Sequence, residues 1–66
     1  MTAKEMFEKL RFEYSLSEDK TIIKYELGFQ RIWFDKDFKD IVISGVYVIK
    51  QELLQAINKQ VEELKW

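Results

Sequence analysis

Phe29, Arg31 and Trp33 alternate along "FQRIWFD", a spacing that sets three side chains on one face of a strand. An arginine between two rings can pair with a phosphate while the rings stack on a base. Lys24, Tyr25 and Tyr47 fall in neighbouring segments and could join them, depending on strand register. Arg31, Trp33, Tyr25, Tyr47 and Lys24 therefore form a candidate site for a small anionic, nucleotide-like ligand. Trp, Tyr and Arg are also the residues enriched at protein contact hot spots. The same surface, widened by Phe29, Ile22 and Val42, equally reads as an interface. Both readings hold if the pocket forms between subunits.

Other chemistry is largely excluded. The chain has no cysteine and no histidine, which removes Cys-His and Ser-His-Asp nucleophiles, imidazole-bound metals, disulfides and structural zinc. Its two glycines, Gly28 and Gly45, cannot make a glycine-rich phosphate loop. "DKDFKD" places Asp35, Asp37 and Asp40 together, but an EF-hand register starting at Asp35 meets Lys39, Asp40 and Val46 where ligand, glycine and glutamate belong. That segment reads as a solvated turn. Nothing in the spacing of the twelve acids selects a catalytic pair. The expectation is a binding protein rather than an enzyme, with no metal and no cofactor.

Composition narrows the partners. With 66 residues the chain reads as one domain, residues 1–66. A domain this small buries only about 60 % of its unfolded surface, so association with another chain is the expected supplement to its stability. The formal charge of −1 argues against general nucleic-acid binding, which needs a clustered basic face. No apolar run approaches the ~20 residues of a membrane span. "MTAKEMFEKL" lacks the continuous apolar stretch of a signal peptide. A cytoplasmic protein is expected. Aromatic content of 15 % excludes a disordered composition.

The elements that must position the candidate site follow from periodicity. Ala3, Met6, Phe7 and Leu10 share one helical face, with Thr2 and Glu5 in capping-box spacing and Glu5–Lys9 as an i, i+4 pair. "LRFEYSLS" then alternates, with Leu10, Phe12, Tyr14 and Leu16 inward. After the polar turn "SEDK", "TIIKYEL" points Ile23, Tyr25 and Leu27 inward and leaves Ile22 outward. Gly28 marks a bend or bulge. A third strand carries Ile32 and Phe34 on one face and Phe29, Arg31 and Trp33 on the other. "DIVISGVYVIK" is the fourth strand. A bulge at Ser44-Gly45 would turn Ile41, Ile43, Val46 and Val48 inward, and Val42 and Tyr47 outward.

Leu54, Ile57, Val61 and Leu64, widened by Leu53, stripe a final helix that lacks a strong N-cap residue and whose start the preceding strand should hold. The order α-β-β-β-β-α implies an α+β fold, a four-stranded antiparallel meander with both helices on one face. Ile22, Phe29, Trp33, Val42 and Tyr47 are then left on the other face. A contiguous apolar patch of that kind calls for a cover. A second subunit, a ligand, or a helix crossing over would each supply one.

"TAKEMFEKL" and "QELLQAINKQVEELKW" together resemble the terminal helices of small uncharacterised proteins encoded by phages and prophages of Gram-positive bacteria. The likeness covers about 25 residues, the strands matching in style only. Arg11 and Lys65 stand where that family places helix-ending glycines. The resemblance implies a phage accessory protein acting against host antiviral defence in the host cytoplasm. One expected activity is sequestering a small nucleotide-type immune signal in a homo-oligomer. The alternative is binding and inhibiting a host defence protein without a small ligand.

Overall fold

The computed structural model describes residues 1–66. Its elements run α1 (Ala3–Lys9), β1 (Glu13–Leu16), β2 (Ile22–Leu27), β3 (Gln30–Asp35), β4 (Asp40–Ser44) and α2 (Gln51–Leu64). The strands form one antiparallel sheet in the order β1-β2-β3-β4. The expected α+β meander is the observed architecture.

α1 begins at the capping box anticipated from Thr2 and Glu5. The Glu5 N–H donates to Thr2 Oγ1 at 3.1 Å, and the Thr2 N–H donates to Glu5 Oε1 at 2.8 Å. Glu5 thus turns back to the N-cap, and the anticipated Glu5–Lys9 pair is absent from the ion pairs formed. The Thr2 N–H and hydroxyl, both donating to Glu5 Oε1, hold its carboxyl below the ordinary range. The helix ends in a Schellman arrangement. Arg11 takes a left-handed φ of 72°, its N–H donates to Glu8 O at 2.9 Å, and the Phe12 N–H donates to Phe7 O at 3.1 Å. The Phe12 ring meets Phe7 edge-on across this turn. Leu10 consequently belongs to the helix end, and the strand starts three residues later than the alternation suggested.

Register fixes the two sheet faces. Ile23 pairs with Phe34 and Leu16, and Tyr25 pairs with Ile32 and Tyr14. Successive strand residues point to opposite faces, so these line the helix side. The core joins Ile23, Tyr25, Ile32 and Phe34 to Phe7, Phe12, Leu53, Ala56 and Ile57. Both helices therefore cover the same face, and none crosses to the other. Phe7 stacks on Tyr25 with 3.8 Å between ring centres, while Phe34 meets both edge-on. The Ala3 N–H donates to Glu63 Oε2 at 2.8 Å, setting an α2 carboxylate at the α1 N-terminus, where the helix dipole favours it.

The buried stripe of α2 is Leu53, Ala56, Ile57 and Gln60. Leu54, expected on it, is 48 % exposed. Gln60 is buried because its Oε1 accepts the Tyr25 hydroxyl at 2.6 Å, which rotates the helix away from the purely apolar stripe. The helix starts at an extended Lys50 with no side-chain cap, and no strand precedes it, since residues 45–50 form a linker. β4 correspondingly stops at Ser44. Gly45 turns the chain with φ 72°, and a Cβ there would collide with the Phe29 carbonyl. Val46 then packs against the core as expected, whereas Val48 lies 72 % exposed in the linker.

Candidate functional site

The face opposite the helices is uncovered, and its composition follows from strand register. One row across the sheet reads Ser15, Lys24, Trp33, Val42; the next reads Glu13, Glu26, Arg31, Ser44. Ile22, Asp35 and Asp40 form a third. Trp33 is half-buried at the centre, flanked by Lys24 and Val42.

Beside it lies an open depression of about 540 Å³, bordered by Ser15, Leu16, Ser17, Ile22, Lys24, Arg31 and Trp33. Three of the five residues singled out for ligand binding, Lys24, Arg31 and Trp33, thus come together, as does Ile22 from the interface set. Val42 adjoins them through Trp33.

The other three lie elsewhere. Tyr25 belongs to the core on the helix side, 1 % exposed, with its hydroxyl held by Gln60. Its inward alternation with Ile23 already implied that place. Phe29 sits at the tip of the β2–β3 hairpin and is 93 % exposed, because Leu27 pairs with Gln30 and only Gly28 and Phe29 remain in the loop. Gly28 has φ 58° at the first loop position, the conformation a II′ turn requires there. A glycine-led two-residue turn was the signal that places Phe29 outside the strand. Tyr47 is 97 % exposed in the linker, beyond the end of β4.

Electrostatics further define the depression. Arg31 Nε donates to Glu26 Oε2, directly opposite on β2, at 2.7 Å. Its charge is therefore largely matched. Lys24 makes no ion pair and is the free cation of the depression. The Ser17 hydroxyl is already committed, donating to Asp19 Oδ1 at 2.7 Å and accepting the Ile22 N–H at 3.0 Å. Asp19 also accepts from the Thr21 hydroxyl and N–H, and these bonds hold its carboxyl below the ordinary range. Across the open strand face, Lys24 and Arg31 stand against Glu13, Glu26, Asp35 and Asp40. Asp35 also organises its turn, accepting the N–H groups of Asp37 and Phe38 at 3.0 and 3.2 Å.

The arrangement suits an aromatic contact with one cationic flank, and it offers one unpaired positive group for an anion. No helix is long and apolar enough to cross a membrane. Comparison with known proteins finds no matching family model, no similar curated protein and no similar solved structure.

Proposed function

We propose that the chain is a non-enzymatic binding module that grips a partner protein through the open sheet face centred on Trp33. The observation that carries this reading is the uncovered row Lys24-Trp33-Val42, with Ile22 and the Arg31–Glu26 pair beside it. A large ring held in the middle of a rigid sheet, rimmed by charge, has the make-up of an interface hot spot. A partner there would bury Trp33 and Ile22 and leave the acidic rim in water.

The setting implied by the terminal helices is a phage or prophage accessory factor in the host cytoplasm, and the partner is then a host defence protein. Its test is affinity capture with Trp33→Ala and Lys24→Glu beside Lys59→Glu, a control on α2. Loss of one defined partner with the first two only is the expected result. Equal capture by all three would refute it.

A second reading is sequestration of a small nucleotide-type signal. The gathering of Ser15, Lys24, Arg31 and Trp33 around a depression of about 540 Å³ favours it, since ligand pockets run from about 300 to 1,000 Å³. It ranks second because Arg31 is tied to Glu26, leaving Lys24 alone to meet phosphate charge beside three further carboxylates, Glu13, Asp35 and Asp40. A dinucleotide that raises the melting temperature of the wild type but not of Lys24→Ala would reverse the order.

A further inference from the structure

Every residue of both edge strands, β1 and β4, is exposed, but the two differ in what packs beside them. On the β1 side α1 packs alongside, and Lys4 Nζ lies 4.6 Å from the centre of the Tyr14 ring. β4 has no such cover. Its central residues Ile41, Val42 and Ile43 are 38 %, 36 % and 40 % exposed, although Ile41 and Ile43 face the helix side. Proteins blunt free edges with lysine, proline, bulges or very short strands. None of these interrupts Asp40–Ser44.

From this edge we infer that β4 pairs antiparallel with β4 of a second copy, about a two-fold axis through Val42. This concerns the edge and stands apart from the reading of the Trp33 face. The sequence "DIVIS" is self-complementary in that register. Val42 meets Val42 of the other copy, Ile41 meets Ile43, and Asp40 meets Ser44, a carboxylate beside a hydroxyl donor. No like charges oppose one another. Shifting the axis by one residue toward the turn sets Lys39 against Ile43 and Asp40 against Val42. Shifting it the other way sets Asp40 against Val46, beyond the end of the strand. Only the Val42-centred register matches all five residues.

Opposed residues in an antiparallel pair share a face. The two sheets then merge into eight strands with both open faces on one side. The row Ser15-Lys24-Trp33-Val42 continues into its own copy, placing two depressions on a single surface. A strand pair of five residues is small against the roughly 1,200–2,000 Å² of a stable interface, so the dimer is weak and concentration-dependent.

The chain has no cysteine, so single introduced thiols report the register. Val42→Cys brings two thiols opposite each other, within the Cα separation of about 4.4–6.8 Å that a disulfide spans. Ile41→Cys alone sets its two thiols diagonally, about 7–8 Å apart across the pair. Under mild oxidation Val42→Cys is expected to cross-link and Ile41→Cys to remain without a disulfide. An equal mixture of Ile41→Cys and Ile43→Cys should cross-link as a heterodimer.

Sedimentation provides a check free of thiols. Val42→Lys should weaken the dimer about tenfold, and mixing it with Val42→Glu should restore it. A Val42→Cys chain that folds by circular dichroism but never cross-links would overturn the inference. So would Ile41→Cys cross-linking as readily, or Val42→Lys leaving wild-type association unchanged. Lys24→Glu, which impairs the proposed partner face, should leave cross-linking intact.

Discussion

Tyr25→Phe removes one hydroxyl from the middle of the core and leaves the ring's stack on Phe7 in place. The lost group donates to Gln60 Oε1 at 2.6 Å, and both residues are buried. Burial, and after it the neighbouring Tyr14, Glu63 and Glu8, pushes the Tyr25 phenol well above its ordinary pKa, so the hydroxyl remains a donor throughout the neutral range. Without it, a buried amide oxygen loses its only side-chain partner, at a cost of about 1–3 kcal/mol. Total stability at this length is roughly 3–10 kcal/mol, so the loss is a large share.

Thermal unfolding followed by circular dichroism should show a fall of about 4–8 °C per kcal/mol. The matching double variant Tyr25→Phe with Gln60→Leu removes donor and acceptor together and should recover most of that loss, since an apolar pair leaves nothing unsatisfied. Single and double variants falling by the same amount, or Tyr25→Phe costing nothing measurable, would refute the assignment of Gln60's burial to this bond.

Backbone strain supplies further predictions. Arg11 and Lys65 both hold left-handed φ values, 72° and 59°, at helix ends. Such a conformation costs a non-glycine residue about 1–2 kcal/mol, and glycine gives back part of that as unfolded-state entropy. Arg11→Gly and Lys65→Gly should therefore each stabilise by about 0.5–1 kcal/mol in urea denaturation. Gly45→Ala should destabilise far more than Gly28→Ala, since a Cβ at Gly45 meets the Phe29 carbonyl whereas that at Gly28 meets open space. Comparing their melting temperatures checks this. Asp19 has a folded pKa below its ordinary 3.8, so its contribution is present above that value and is lost as pH falls through the lower folded one. Asp19→Asn should flatten the acid limb of stability against pH, measured by unfolding from about pH 2 to 5.

Where local rules and global packing agreed, the fold was legible. Thr2 and Glu5 marked the first helix because a capping box is a local hydrogen-bond pattern. Ile23, Tyr25, Ile32 and Phe34 marked the inner face because alternation survives into the register. The face bearing Lys24, Arg31 and Trp33 followed from the same alternation. It failed at Phe29, where period two runs unbroken through a turn, and at Tyr47, where Gly45 ends the strand instead of bulging it. Gln60 and the Arg31–Glu26 pair were invisible, because each depends on two residues that only the fold brings together. The rotation of α2 that exposes Leu54 has the same origin. A hydrophobic stripe does not register a glutamine buried for its hydrogen bond.

Native mass spectrometry of the protein recovered from bacterial cells with an active defence system tests whether the open sheet face centred on Trp33 grips a host protein. A complex of the chain with one host protein, lost in Trp33→Ala, is the expected result. A chain or dimer carrying only a small extra mass, or nothing at all, would contradict it.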